Sequence, residues 1–137
     1  MKVIIDTNVL IYAAISGRKP EAIILWVIDR RDVHWMVSEA ILSEYKAVLS
    51  RPRFKLTAAQ QERWSQVLEE ATTLVSVNSK ADFPRDQKDV KFLNCAVASE
   101  ADFLITSNRN LREAQGLIKT TMISVSLFQR IIRELDQ

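Results

Sequence analysis

The chain has 137 residues, 47% of them hydrophobic, which is enough to bury the core of one ordinary domain. With 19 basic and 17 acidic residues the formal charge is only +2, so bulk charge does not indicate a nucleic-acid partner. A single cysteine, Cys95, excludes an internal disulfide, and the apolar runs fall far short of the roughly 20 residues that span a bilayer. We therefore expect one cytoplasmic domain over residues 1–137, with no membrane segment.

Short apolar runs rich in β-branched residues recur along the chain, with helical patterns between them. The predicted strands cover residues 2–5, 33–37, 74–77, 103–106 and 122–125. Runs that are apolar throughout are typical of strands covered by helices on both faces. The alternation of strands and helices predicts an α/β fold of three α/β/α layers, with a central, mainly parallel sheet of four or five strands.

Two of the predicted helices begin at recognisable caps. Ser38 is a good N-cap for a helix that ends near Leu49. Thr57 and Gln60 form a capping-box signature for a helix that continues to about Ala71. The remaining predicted helices follow Asp6, run from near Asp86 to near Ser99, and close the chain from about Leu127.

Acidic residues stand where parallel α/β folds place their ligands, beyond the carboxyl ends of the strands. Asp6 directly follows the first predicted strand, although Asp6 or Asn8 could simply cap the helix that comes next. Glu44 flanks the apolar face of its helix, and the alternative is an ordinary surface glutamate. These two acids are therefore candidate site residues with a structural alternative.

Asp89 is the most informative of the acids. Phe92, Leu93 and Ala96 follow it at helical spacing, which places its carboxylate on the apolar face, where an unpaired charge is costly. The alternative is that Asp89 lies in the first turn of the helix, where an acid is favoured by the helix dipole. That alternative explains its position along the helix but not the direction it faces.

Three inward-facing carboxylates would repel one another unless a positive charge lies among them. The chain has one histidine and one cysteine, so the available ligands are hard oxygens, which favour Mg²⁺ or Mn²⁺ over Zn²⁺. The same shortage of histidine weighs against a Ser-His-Asp or Cys-His hydrolase. A divalent cation would resolve the repulsion.

Four segments in a fixed order carry a family resemblance: DTNVL from Asp6, residues 38–53 around Glu44, residues 85–93 around Asp89, and ADFLIT from Ala101. Together they resemble the PIN-domain nucleases, in particular the branch that comprises toxin components of toxin-antitoxin systems. The resemblance covers nearly the whole chain. It implies a PIN-like fold and an endoribonuclease that hydrolyses RNA with Mg²⁺, or with Mn²⁺ as a substitute, at an acidic cleft.

Position by position, the resemblance implies that Asp6, Glu44 and Asp89 are the catalytic residues and ligate the metal. It makes Asn8 a hydrogen-bonding support of Asp6, and adds Asp86 and Thr106 to the supporting site. The departure is Asn108, where the family usually has an aspartate. An asparagine can orient a water or bind metal through its carbonyl, but it brings no charge. The alternative is therefore a catalytically weakened PIN-fold protein that binds RNA or acts as a regulator.

The resemblance also implies partners. It predicts an RNA substrate, a cognate antitoxin that blocks the cleft, and a homodimer. Basic residues near the motifs are candidates for holding RNA phosphates, or else are ordinary solvated charges. They are Arg51, Arg53, Arg85 and Arg109.

Two other enzyme classes have less support. A doubly wound nucleotide-binding protein would have a glycine-rich phosphate loop after its first strand, where this chain has DTNVL. A phosphotransferase with Asp6 as nucleophile would be expected to have a second aspartate two positions later, where Asn8 stands.

Overall fold

The computed structural model, which describes residues 1–78, 83–84, 87 and 89–136, contains one parallel five-stranded sheet flanked by helices. Its strands in chain order are β1 (Lys2–Ile5), β2 (His34–Val37), β3 (Thr72–Leu74), β4 (Phe103–Ile105) and β5 (Thr121–Ile123). Across the sheet the order is β3-β2-β1-β4-β5, which confirms the predicted α/β fold with a parallel sheet. The chain crosses from one half of the sheet to the other between β3 and β4, so a topological switch point lies beside the central strand β1.

The helices that the structure describes are α1 (Thr7–Ser16), α2 (Arg18–Asp29), α3 (Glu39–Leu49), α4 (Ala58–Ala71), α5 (Val90–Ser99), α6 (Arg109–Arg112) and α7 (Val125–Leu135). Two 3-10 turns cover Pro52–Phe54 and Glu113–Leu117. Within the described ranges, none of these helices is both long enough and apolar enough to cross a membrane.

Both predicted helix caps are confirmed. The Ser38 hydroxyl accepts a hydrogen bond from the backbone N–H of Ile41 at 3.2 Å, at the start of α3. At the start of α4, Thr57 Oγ1 accepts from the Gln60 N–H at 3.1 Å, and Gln60 Oε1 accepts from the Thr57 N–H at 2.8 Å. These reciprocal bonds satisfy backbone donors that the helices themselves leave unpaired.

Several predicted boundaries are wrong. The third strand is Thr72–Leu74, not residues 74–77, because α4 runs into β3 without a connecting loop. The fifth strand is Thr121–Ile123, not residues 122–125, because Ser124 already caps α7 through a bond from the Leu127 N–H. For the same reason α7 begins at Val125 and not near Leu127.

Helix α2 was not predicted from the sequence. Gly17, with φ of +70°, joins α1 to α2 in a conformation that most residues avoid. The buried residues Ile23, Ile24 and Val27 then recur at helical spacing. They fix α2 against the core of the protein.

A buried hydrogen-bonded pair fastens α3 to the carboxyl end of β1. The Tyr45 hydroxyl donates to the carbonyl oxygen of Ile5 and accepts from Trp35 Nε1 at 3.4 Å. Tyr45 and Trp35 are fully buried, so both belong to the core. Cys95 is also fully buried, and burial raises the pKa of its thiol to about 12, which is typical of a small structural residue.

Candidate active site

Asp6 follows β1 immediately, at the switch point of the sheet. Its backbone N–H donates to the carbonyl oxygen of Ile105 at 3.0 Å, which joins the ends of β1 and β4. Its carboxylate accepts a hydrogen bond from the Thr106 hydroxyl, with 2.7 Å between Oγ1 and Oδ2. Asp6 occupies the N-cap position of α1, where its side chain makes no close capping hydrogen bond, although the backbone N–H of Asn8 lies near enough to act on the carboxylate. The carboxylate is thus fastened mainly by Thr106, the residue that follows β4.

The side chain of Asp6 is an unfavourable place for a negative charge. Only 5% of the residue is exposed, and this burial is the main reason that its pKa is raised. Hydrogen bonding to Thr106 and the nearby backbone N–H of Asn8 lower the pKa, while the charges of Asp89 and Glu44 raise it further. The structure therefore brings Asp89 and Glu44 close enough for their charges to act on Asp6.

Glu44 lies on α3 and is held from two sides. Its Oε2 accepts a hydrogen bond from the Thr7 hydroxyl, and its Oε1 accepts one from Lys91 Nζ at 2.7 Å. Burial opposes its ionisation, but these two hydrogen bonds and the charges of Lys91 and Arg51 outweigh it, so the pKa of Glu44 is lowered. Glu44 is consequently an ionised carboxylate in a fixed orientation, unlike an ordinary surface glutamate.

Asp89 precedes α5 and does not belong to its first turn. The prediction that this helix begins near Asp86 is wrong, because α5 begins at Val90 and Asp89 is its N-cap residue. Asp89 has φ of +57°, a left-handed conformation that aspartate tolerates better than most residues. Its half-buried side chain makes no capping bond, and its charge acts on Asp6. A strained backbone of this kind is frequent at functional sites.

Thr106 and Asn108 follow β4 and form the fourth side of the site. Thr106 Oγ1 donates to Asp6 and accepts from the Asn108 N–H at 3.0 Å. Asn108 Oδ1 accepts from the Asn110 N–H at 2.9 Å, which caps α6. A chain of hydrogen bonds therefore links the start of α6 to the buried carboxylate. The side-chain carbonyl of Asn108 already has a structural partner.

The basic residues differ in their relation to the acids. Arg51 is exposed and lies close enough to lower the pKa of Glu44. Arg53 is exposed and stacks on Phe54, with 4.7 Å between its guanidinium carbon and the ring centroid. Arg109 is exposed on α6. Arg85, like the supporting residue Asp86, lies outside the described residues.

Two residues of the site were missed by the sequence analysis. Thr7 stands in the first quoted motif and Lys91 in the third, yet neither was assigned a role. A threonine after an acid and a lysine in a helix are common, so only their contacts with Glu44 identify them. Lys91 supplies a positive charge to Glu44. Within the described part of the chain, no set of three or more acidic, histidine or cysteine side chains is already arranged to hold a metal.

We expect Lys91→Gln to lower the free energy of unfolding by up to about 1 kcal/mol without divalent cations, since the ion pair with Glu44 is partly exposed. The pKa of Glu44 is lowered in the folded protein. The stabilisation by the ion pair is therefore present at neutral pH and is lost as the pH falls through this lowered pKa. Urea unfolding at neutral and acidic pH measures it, with the exposed Lys119→Gln as control. An equal loss at both pH values would contradict the pairing.

A sequence model of the PIN domain family matches residues 2–110, and the chain therefore belongs to the PIN-domain family. The uncharacterized protein MJ1680 of Methanocaldococcus jannaschii is 29% identical over 114 residues, which cover 81% of this chain and 73% of that protein. The family match confirms the resemblance found in the sequence motifs.

Two solved structures share the fold. One is VapBC2 from Rickettsia felis bound to a DNA fragment from their promoter, with a TM-score of 0.61, 13% identity, and coverage of 90% of this chain and 98% of that chain. The other is VapBC-1 from nontypeable Haemophilus influenzae, with a TM-score of 0.59, 18% identity, and coverage of 92% and 99%. At these identities the similarity establishes the common fold alone.

Proposed function

We propose that this protein is an endoribonuclease that hydrolyses RNA phosphodiester bonds with Mg²⁺, or Mn²⁺ in its place, ligated by the catalytic acids Asp6, Glu44 and Asp89. The observation that carries the proposal is the convergence of these acids from three separate elements, with Asp6 buried and its pKa raised. A structural role does not require such a costly arrangement. Membership of the PIN-domain family supports the same conclusion.

The donor atoms of the three acids are of the kind that a hard divalent cation prefers, and a bound cation would have to draw together described side chains that are not already arranged around one. All three acids offer oxygen ligands, and a bound cation would offset both the burial and the nearby charges of Asp89 and Glu44 that raise the pKa of Asp6. A metal ion bound there supplies Lewis-acid activation of a water molecule and neutralises charge that develops on the phosphate. Glu44 already forms an ion pair with Lys91. Of the three proposed metal ligands, it is therefore the one that experiment must test first.

The other residues of the site orient these acids. Thr106 fixes Oδ2 of Asp6, and Asn8 supports the same carboxylate through its backbone N–H. Thr7 and Lys91 fix Glu44 in the same way. We assign contacts with RNA phosphates to Arg51, Arg53, Arg85 and Arg109, of which Arg51 has the strongest support because its charge acts on Glu44.

We further propose that the protein is the toxin component of a toxin-antitoxin pair, works in the cytoplasm as a homodimer, and is inhibited by a cognate antitoxin protein. The fold shared with the two VapBC structures supports this proposal. Induced expression should arrest growth of a bacterial host, and Asp6→Asn should abolish the arrest. Sedimentation of the purified chain tests the dimer.

Cleavage of a mixed panel of RNA and single-stranded DNA, with Mg²⁺, Mn²⁺ or EDTA, tests the enzymatic proposal. We expect Asp6→Asn, Glu44→Gln and Asp89→Asn each to slow RNA cleavage by roughly 100-fold or more. Asp29→Asn and Glu62→Gln make the same chemical changes at exposed positions and should cleave as the wild type does. Cleavage that survives in EDTA, or in all three site variants, would refute the assignment.

A catalytically weakened RNA-binding or regulatory protein remains the alternative, because Asn108 stands where the family usually has an acid. The same panel separates the two functions. Binding of RNA without cleavage under any metal would favour the alternative.

We expect Asn108→Asp to lower the Mg²⁺ concentration at which cleavage is half-maximal. An aspartate adds a negative charge beside Thr106 and Asp6, and it caps α6 about as well as asparagine does. A Mg²⁺ titration of the cleavage rate measures the shift. Asn110→Asp, two residues further into α6, is the control for added charge in the same segment. If the two variants respond equally, position 108 has no specific role in metal binding.

A further inference from the structure

A pocket opens beside Asp6, and the mechanism above assigns no ligand to it. It lies where α1, the loop after β4, and the first turns of α2 and α7 meet, with a volume of about 460 Å³. That volume falls in the range of pockets that hold small molecules. Its described lining includes Asn8, Tyr12, Pro20, Ser107, Asn108 and Val125.

The pocket is physically joined to Asp6. Asn8 lies two residues after Asp6, and its backbone N–H acts on the Asp6 carboxylate. On the opposite side, the Asn108 N–H donates to Thr106, which in turn holds Asp6. A group bound in the pocket therefore lies beside residues that contact Asp6 directly or through Thr106.

The chemistry of the lining favours a nucleobase over a phosphate. None of the described residues that line the pocket is charged, whereas a phosphate would be met by arginine or lysine. Tyr12 is 58% exposed, an unusual exposure for a large aromatic side chain in an otherwise well-packed protein. Single-stranded nucleic acids are recognised by exposed aromatic rings on which their bases stack.

Two amide groups complete the recognition chemistry. Asn8 and Tyr12 are four residues apart on α1 and so share one face of that helix. Within the described residues the side-chain amide of Asn8 makes no hydrogen bond, and Asn108 uses only its carbonyl, which accepts from Asn110. Both NH₂ groups are therefore free to donate to acceptors on the edge of a stacked base.

We propose that this pocket binds one nucleobase of a single-stranded RNA, stacked on Tyr12 and hydrogen-bonded by Asn8 and Asn108, next to the acids that cleave the chain. This inference rests on the proposed ribonuclease function and adds a determinant of substrate specificity to it. Tyr12 acts in binding, and has no part in the chemical step.

Fluorescence anisotropy with labelled RNA nonamers tests the proposal. The probes are nonamers of adenosine, uridine and cytidine, and a ribose-phosphate nonamer that lacks all bases. The measurements use the full chain carrying Asp6→Asn, which removes the proposed cleavage. Tyr12→Ala should weaken binding of at least one base-containing nonamer by roughly 5- to 100-fold, the range of a base–aromatic stack. The same variant should leave binding of the abasic nonamer unchanged.

Two variants serve as controls. Tyr12→Phe keeps the aromatic ring and should bind within about threefold of the parent. Ile15→Ala removes another exposed apolar side chain from α1, outside the pocket, and should bind all four probes as the parent does.

The proposal is overturned if Tyr12→Ala binds every nonamer as tightly as the parent does. It is also overturned if the variant loses as much affinity for the abasic nonamer as for the base-containing ones, or if the parent binds no nonamer. In the first case a polypeptide would replace RNA as the proposed partner of the exposed face of α1. Failure of the ribonuclease proposal is a separate result, since it is the absence of metal-dependent cleavage by the chain with Asp6 intact. Tyr12-dependent binding without cleavage would place the base pocket in an RNA-binding protein.

Discussion

The Asp6→Asn variant is expected to lose RNA cleavage and yet to melt higher than the wild type in EDTA, by an amount on the order of a few °C. The carboxylate is buried beside Glu44 and Asp89, so its charge destabilises the folded state. Asparagine removes that charge and still offers an oxygen to the Thr106 hydroxyl. Thermal unfolding followed by circular dichroism, beside the cleavage assay, measures both effects.

The pH dependence of unfolding tests whether the charge of Asp6 causes this difference in melting temperature. Because the pKa of Asp6 is raised above its ordinary value of 3.8, the folded state binds this proton more tightly than the unfolded state does. The contribution of Asp6 to wild-type stability should therefore fall as the pH rises from that ordinary value through the raised one, against the opposite contribution of Glu44. Asp6→Asn should lack this fall, and Asp29→Asn, at an exposed position, should retain it. A variant that melts lower than the wild type at neutral pH would contradict the view that Asp6 is a strained charge.

Tyr45→Phe is expected to lower the free energy of unfolding by about 1–3 kcal/mol, the cost of leaving buried polar groups without partners. The change removes the hydroxyl that donates to the Ile5 carbonyl and accepts from Trp35 Nε1. Burial raises the pKa of Tyr45 above its usual value, so this hydroxyl remains a donor over the whole pH range of interest. Denaturant unfolding measures the loss.

The chain supplies a matched control in its other tyrosine. Tyr12 is largely exposed, so Tyr12→Phe removes a hydroxyl that water can already satisfy and should change stability by less than about 0.5 kcal/mol. Since Ile5 directly precedes Asp6, Tyr45→Phe should also slow cleavage at temperatures where the protein is folded. Equal stability of the two phenylalanine variants would show that the buried bonds contribute nothing.

Much of the fold could be predicted from the sequence because its signals are local. The first strand is an unbroken apolar run, and the Ser38 and Thr57 caps are short patterns that depend only on their neighbours. The third strand could not be placed correctly, since Thr72 belongs both to the end of α4 and to the start of β3. Only pairing with β2, which is remote in sequence, decides where that strand begins.

The candidate site was predictable in its charged members but not in their partners. Asp6, Glu44 and Asp89 attract attention because charges near a core need an explanation. The hydroxyl of Thr7 and the ammonium of Lys91 become informative only when the fold brings them to Glu44. Asp89 was also placed inside a helix that begins one residue later, because sequence spacing does not reveal its left-handed backbone.

The hydrogen bond between Thr106 and Asp6 joins residues that are 100 positions apart in the chain. Asp6 and Glu44 leave the ribosome early, but β1 lies in the middle of the sheet and has an unpaired edge until β4 has been synthesised. The acid centre is therefore completed only late in translation. For a ribonuclease of the kind proposed, we expect prematurely terminated chains that end before β4 to lack a complete acid centre and so to be inactive.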